Sequence, residues 1–123
     1  MSVDVVSPEE LAAEESTPGV SRRIVFETEN NVVVQARVAG GTTTDWHYHG
    51  DRHVYGYHIE GSAAMEYGPN GEQRAETTAG DCFYLPPGTV HRDVNPGGDD
   101  AVVLVSFVGS GPVVVNVDGP GSE

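Results

Sequence analysis

Apolar and polar residues alternate along most of the chain from Ser21 onward. The clearest run covers residues 32–38, where every second residue is Val or Ala and the residues between include Gln35 and Arg37. Side chains of a β-strand point alternately to its two faces. This period of two therefore predicts a strand with one buried face.

The same period recurs in further short runs that lie about ten residues apart. Turn-forming sequences separate them, such as Gly68-Pro69-Asn70-Gly71 and Pro86-Pro87-Gly88. Short strands at this spacing predict an all-β sandwich or barrel and argue against a βαβ fold. The further runs are residues 43–49, 53–60, 62–67, 72–78, 81–85, 90–94, 101–108 and 112–117.

Residues 1–20 are predicted to form an arm that precedes this β region, which occupies residues 21–117. Ser7 is followed by Pro8 and, three residues after the serine, by Glu10. A capping serine, a proline at the first helical position and a glutamate three residues on are typical of a helix start. We therefore expect a short N-terminal helix over residues 8–15, and a flexible tail at residues 118–123.

The chain of 123 residues and 13.0 kDa predicts a single domain. It has no apolar run of about 18 residues, and its acidic N-terminus lacks the pattern of a signal peptide. A cytoplasmic protein without a membrane partner is expected. The single cysteine, Cys82, excludes an intramolecular disulfide and a cysteine-based zinc site.

The net charge is −13, and all six basic residues are arginines. This negative potential repels nucleic acid and anionic lipid, so neither is expected as a partner. Self-repulsion of this size destabilises a small fold unless salt screens it. The charge, together with the absence of lysine, favours a salt-loving (halophilic) source.

Four of the five histidines fall within twelve residues of one another. His47 and His49 are two residues apart on a predicted strand, so both imidazoles point to the same side. His53 follows a predicted turn, and His91 lies on another strand-like run. Neutral imidazole is the commonest protein ligand of transition metals. The cluster predicts a site for one divalent transition metal, such as Fe, Zn, Ni or Mn.

The sequence resembles the cupin family in two motifs. Gly41, five residues, His47-Tyr48-His49 and later Gly61 are similar to the first cupin motif. Gly80, five residues, Pro86-Pro87-Gly88, two residues, His91, three residues and Asn95 match the second motif at every fixed position. The resemblance covers residues 22–117 and implies a cupin jelly-roll barrel with a metal inside, held by His47, His49 and His91.

The sequence departs from the family at the glutamate of the first motif. Counting forward from His49 puts His53 at that position, whereas counting back from Gly61 puts Val54 there. We favour His53 as a fourth ligand, because a nitrogen ligand replaces an oxygen ligand more readily than valine does. In the other alignment the loop is simply longer, Val54 takes the position and His58 faces inward. We prefer to interpret His58 as a core histidine that is hydrogen-bonded to a neighbour. Asp51 is a weaker candidate.

Function is less closely determined, because a barrel scaffold hosts many reactions. We expect a metal-dependent, dioxygenase-like oxidoreductase that acts on a small organic substrate. The alternatives are a non-catalytic module that binds a metal or a small molecule, and a metal-dependent isomerase. No separate catalytic acid or base can be named. Residues 113–117 could form an edge strand that pairs with a second copy in a homodimer. Eight large side chains could line a small apolar pocket: Trp46, Tyr48, Tyr55, Tyr57, Met65, Tyr67, Phe83 and Phe107.

Overall fold

A computed structural model describes residues 1–120 and contains two six-stranded antiparallel sheets. The all-β prediction is confirmed. The strands are β1 (Glu14–Thr17), β2 (Val20–Thr28), β3 (Asn31–Val38), β4 (Thr42–Thr43), β5 (His47–Tyr48), β6 (His53–Glu60), β7 (Ser62–Tyr67), β8 (Gln73–Thr78), β9 (Cys82–Leu85), β10 (His91–Asn95), β11 (Ala101–Val108) and β12 (Val115–Asn116). Two 3₁₀ turns, Pro8–Glu10 and Pro69–Gly71, complete the secondary structure of the described part. No helix within residues 1–120 is long and apolar enough to cross a membrane.

The first sheet has the strand order β1-β2-β3-β11-β6-β9. Its central strand pair, β3 and β11, shows the predicted alternation, with Val34 opposite Val105 and both buried. These inward side chains pack with Met65 of the other sheet into one hydrophobic core. Burial of this apolar face supplies the main driving force that holds the two sheets together.

The second sheet has the order β12-β5-β10-β7-β8, with β4 also paired to β10. The predicted strand over residues 43–49 is divided here into β4 and β5. Thr44 lies between them and belongs to neither strand, but its N–H donates a backbone hydrogen bond of 2.9 Å to the carbonyl of Asp93. Two short pieces of strand therefore pair with one strand, β10, and this arrangement sets His47 directly opposite His91.

The N-terminal helix predicted over residues 8–15 is wrong in extent. Only Pro8–Glu10 is helical, as a 3₁₀ turn, and the Ser7 side chain does not cap it. Glu14–Thr17 instead forms β1, which pairs with β2 at the sheet edge. Thr17 is buried and accepts a 3.0 Å hydrogen bond from Arg22. Pairing with the next strand, β2, here outweighs the local helix signal. Of the predicted tail, residues 121–123 lie outside the described part.

Candidate metal centre

Three of the predicted histidine ligands meet inside the barrel. His47 lies on β5, His49 follows β5 by one residue, and His91 begins β10. One ring nitrogen from each lies within 4.8 Å of the others. The side chains are almost fully buried, at 0 %, 6 % and 2 % exposure. The strand pairing of His47 with His91 and the two-residue spacing of His47 and His49 produce this convergence.

Hydrogen bonds fix which nitrogen of each ring faces the others. The Nδ1 atoms of His47, His49 and His91 contact the backbone carbonyls of Asp45, Val113 and Thr89 at 2.8, 2.6 and 3.0 Å. A carbonyl oxygen can only accept, so each Nδ1 carries the proton and donates it. Each Nε2 therefore has a free lone pair. Backbone carbonyls commonly orient metal-binding histidines in this way.

The surroundings of His49 and His91 favour their neutral form. Burial lowers the pKa of His49 to about 3, and the proximity of His91 and His47 acts in the same direction. Burial also lowers the pKa of His91, against the opposing effect of Asp93. Three imidazole nitrogens that are buried together fit a divalent transition metal. These residues could hold such an ion through three imidazoles.

The expectation that His53 completes the ligand set is corrected by the structure. His53 lies on the outer face of β6, where its Nδ1 is 2.7 Å from the hydroxyl oxygen of Tyr84. Val54 points inward and is 2 % exposed. The alignment with the longer loop, which puts Val54 at the glutamate position and turns His58 inward, therefore agrees with the observed strand β6. Asp51 is exposed in the turn before β6 and is not part of the histidine group.

A buried arginine explains this register. Arg52 is 7 % exposed, and its guanidinium donates hydrogen bonds to the carbonyls of Phe107, Gly109 and Gly111. Because Arg52 is anchored inside, the next residue, His53, must point outward. Arg52 is a variable position of the first cupin motif, so the motif counts could not decide between His53 and Val54.

Asp93 is a charged residue beside the histidines that was not predicted from the sequence. It follows His91 by two residues on β10 and faces the same interior. Its Oδ2 atom is 3.4 Å from Nε2 of His47, although the two groups are not aligned as a hydrogen bond. Burial raises the pKa of Asp93, but its interactions with His47 and His91 outweigh burial and hold the pKa below its ordinary range. The strand period from His91 could have identified it.

A cavity of about 70 Å³ extends from the histidines through the barrel interior. Most of its wall is apolar, and Phe83, Phe107 and Met65 are the predicted pocket residues that contribute to it. Its charged or titratable lining groups are Arg22, His49, His58, His91 and Asp93. Other aromatic residues expected there lie outside: Tyr55 and Tyr57 are about half exposed. Cys82 is also exposed.

His58 belongs to the cavity wall and not to the histidine group. Its side chain is fully buried, and Nδ1 is 3.0 Å from Oγ1 of Thr77, in agreement with the expected hydrogen-bonded core histidine. The other ring nitrogen, Nε2, has no hydrogen-bond partner among the described residues. A buried polar atom of this kind is costly unless another group satisfies it, by about 1–3 kcal/mol. It can accept or donate one hydrogen bond to a molecule in the cavity.

Comparison with known families agrees with the geometry. The family model for the cupin domain, Cupin_2, matches residues 34–108, which include all three converging histidines. The chain belongs to the cupin family. A search of curated protein sequences finds no significant match.

Solved cupin-like structures confirm the jelly-roll fold. The polyketide cyclase RemF from Streptomyces resistomycificus is 22 % identical, with a TM-score of 0.80 over 94 % of this chain and 86 % of that chain. KdgF from Halomonas sp. is 23 % identical, with a TM-score of 0.70 over 87 % of this cupin and 94 % of that chain. Oxalate decarboxylase from Bacillus subtilis is 24 % identical, with a TM-score of 0.75 over 89 % of this cupin. This cupin spans only 31 % of that larger chain.

Proposed function

We propose that this cupin is a metal-dependent enzyme that acts on a small oxygen-bearing organic substrate by a dioxygenase-like reaction. One observation carries the proposal: three buried imidazole nitrogens converge at a small, largely apolar cavity. Buried lone pairs repel one another unless a cation lies among them. A closed structural site would use all of its coordination positions on protein atoms, whereas three histidines leave positions open.

Each part of the chain has a task in this scheme. His47, His49 and His91 would hold the ion, and their carbonyl partners keep the three Nε2 atoms pointed at it. A bound divalent ion supplies Lewis acidity and, if it is iron, a route for electrons to O₂. The apolar wall excludes bulk water, which strengthens electrostatic interactions at the site. The volume of about 70 Å³ favours a substrate of only a few heavy atoms in this shape of the cavity.

His58 and Arg22 support the assignment of a small polar substrate. Both line the cavity, and Nε2 of His58 can form one hydrogen bond with a bound molecule. Arg22 adds positive potential to the same interior, which favours an anionic or enolate oxygen. An apolar pocket with a few converging polar groups is the usual design of a small-molecule site.

The test uses untagged protein, because a histidine tag would add imidazoles. The apoprotein is loaded with Fe(II) without oxygen, and O₂ uptake is then followed with a diketone, a catechol and a thiol. We expect uptake with one of these classes, and none from zinc-loaded protein or from the His91→Ala variant. Absence of uptake with all three classes contradicts the dioxygenase proposal.

A metal-dependent isomerase is the second candidate, and His58 is the observation that favours it. A group that can both donate and accept a proton, buried beside the cavity, suits proton transfer on a carbonyl substrate. Conversion of a substrate without O₂ would support this candidate. Tightly bound zinc without an exchangeable water would instead favour the non-catalytic metal-binding module.

We also propose that the protein forms a homodimer. The strand β12 lies at the edge of the second sheet and is available for pairing with a second copy, as expected from the sequence. The outer face of the first sheet is a second candidate surface. One patch of neighbouring side chains on this face is uncharged, although the chain carries −13 overall, so two copies could approach there without direct repulsion. These residues are Phe26, Val33, Ser106, Tyr55, Tyr84, Leu104, Tyr57 and Cys82.

Light scattering after gel filtration tests the dimer. The Tyr57→Glu variant places a charge on the outer face and should dissociate a dimer that uses this face. A dimer that persists in this variant places the contact at the β12 edge. A monomeric wild-type protein contradicts both arrangements.

A further inference from the structure

Arg52 is a buried arginine that donates its side-chain hydrogen bonds to backbone carbonyls. Its Nη1 atom donates to the carbonyls of Phe107 and Gly109, at 3.1 and 3.2 Å. Its Nε and Nη2 atoms both donate to the carbonyl of Gly111, at 3.0 and 2.8 Å. Among residues 1–120 it forms no ion pair with an acidic residue. Burying a cation in this way is costly, and these four hydrogen bonds offset the cost.

The segment after β11 is bound by Arg52 and by one of the three converging histidines. Residues 109–114 connect β11 in the first sheet with β12 in the second, and we call them the β11–β12 connection. Arg52 binds this connection at the carbonyl of Gly111. Nδ1 of His49 donates to the carbonyl of Val113 at 2.6 Å. The two side chains therefore hold carbonyls that are only two residues apart.

Pro112 links these two contacts within the connection. It lies between the two bound carbonyls, and its ring fixes the φ angle there. The turn before β6 completes a closed ring of contacts, since the N–H of Arg52 donates to the carbonyl of His49 at 3.2 Å. A Cβ atom added to Gly50 in this turn would lie 2.9 Å from the carbonyl oxygen of Pro112. The turn and the connection thus pack so closely that displacement of one moves the other.

His49 depends on this packing more than the other two histidines do. His47 lies on β5 and His91 on β10, where they pair with each other, whereas His49 follows β5 by one residue. The carbonyls that orient His47 and His91 are each two residues away in the sequence. The carbonyl that orients His49 belongs to Val113, 64 residues away. The orientation of the His49 ring is therefore set by whatever holds the β11–β12 connection in place.

We propose that Arg52 is a positioning residue of the candidate metal centre. By fixing the carbonyl of Gly111 it holds the carbonyl of Val113, which in turn orients the His49 ring. The proposal rests on the proposed metal site, in which His49 is a ligand. Residues that orient a ligand in this way typically change metal affinity by about 10- to 100-fold when they are replaced.

The experiment compares the untagged protein with its Arg52→Met variant, which removes the guanidinium but keeps an unbranched side chain. NMR of the apoprotein observes the Nδ1–H protons of the histidines, which exchange slowly because they are buried and hydrogen-bonded. We expect R52M to lose the slowly exchanging Nδ1–H signal of His49 and to keep those of His47 and His91. Chelator competition should show a loss of about 10-fold or more in Zn(II) affinity. The His49→Gln variant assigns the His49 signal.

Two further variants serve as controls. Arg37→Met removes the same charge from an exposed arginine of β3 and should alter neither readout. Arg52→Lys keeps the charge but lacks the planar fork of donors, so it should retain only part of the affinity and of the His49 signal.

If R52M does not fold, Pro112→Gly replaces it. This change leaves Arg52 in place and removes the φ restraint between the two bound carbonyls. It should weaken the His49 signal selectively and lower Zn(II) affinity. An unchanged signal and affinity in this variant would contradict the proposal.

Other outcomes separate this proposal from the proposed function. An unchanged His49 signal and affinity in R52M overturn the role of Arg52 and leave the metal site intact. Loss of all three Nδ1–H signals also overturns it, because Arg52 would then support the barrel as a whole. Failure of the wild-type protein to bind Zn(II) overturns the metal site, whereas the NMR comparison still decides whether Arg52 holds the His49 ring.

Discussion

The two faces of β6 place similar side chains in opposite environments. On the inner face, Val54 and His58 line the cavity, and Gly56 packs against the ring of Phe83. On the outer face, His53 and Tyr55 stack at 6.4 Å between ring centroids, and Tyr84 of β9 lies 5.9 Å from His53. We call His47, His49 and His91 the inner histidine site, and His53, Tyr55 and Tyr84 the outer aromatic cluster. The face of the strand, and not the residue type, decides whether a histidine can serve a metal.

The inner histidine site and the outer aromatic cluster should differ most in metal affinity. Replacing His91 by Ala removes one of three converging nitrogens, so we expect a loss of more than about 100-fold in Zn(II) affinity. The matched change His53→Ala removes an exposed imidazole and should leave affinity unchanged. Chelator competition on untagged protein measures both. Equal losses in the two variants would contradict the separation of the two regions.

Acid should destabilise the metal-free protein through the inner histidine site. The pKa of His49 is lowered to about 3 in the folded state, from an ordinary value of 6.5. Between these values the unfolded chain binds more protons than the folded one, so stability is full above about pH 6.5 and falls as the pH decreases toward 3. One such group contributes a slope of up to about 1.4 kcal/mol per pH unit.

Urea unfolding at several pH values measures this slope. The His49→Gln variant should show a shallower decline of stability with acid than the wild-type protein, whereas His53→Gln serves as the exposed control and should retain the wild-type slope. An unchanged slope in the His49 variant would show that other groups cause the acid sensitivity.

Gly56 tests how tightly the inner face is packed. A Cβ atom added there would overlap the ring of Phe83, which is its neighbour on β9. The ring must move, so Gly56→Ala should cost about 1–3 kcal/mol in the free energy of unfolding. The outward neighbour gives the control: Tyr57→Phe should change stability by less than about 0.5 kcal/mol. Urea denaturation that finds no loss for Gly56→Ala would show that Phe83 has room to shift.

Local patterns and family motifs predict much of this architecture. Alternation predicts the strands β3, β6 and β11 closely, and the two motifs select the three histidines that the structure brings together, His47, His49 and His91. These predictions succeed because a period of two and a short turn depend on neighbouring residues.

The features that could not be predicted from the sequence depend on contacts between elements, which local patterns do not encode. The inward position of Arg52, which turns His53 outward, requires the carbonyls of Phe107, Gly109 and Gly111. The strand β1 likewise needs its partner β2 before it is favoured over a helix. Asp93 is different, since the period of two from His91 already places it inside.

The smallest expected effect concerns the contact between His53 and Tyr84. Tyr84→Phe removes the hydroxyl that lies 2.7 Å from Nδ1 of His53. Both groups are exposed, so water replaces the lost hydrogen bond and the free energy of unfolding should change by less than about 0.5 kcal/mol. Zn(II) affinity should not change, because this contact lies on the outer face of β6. Urea denaturation and chelator competition measure the two quantities. A tenfold loss of affinity in this variant would mean that the outer aromatic cluster is coupled to the inner histidine site, and that the two faces of β6 do not act independently.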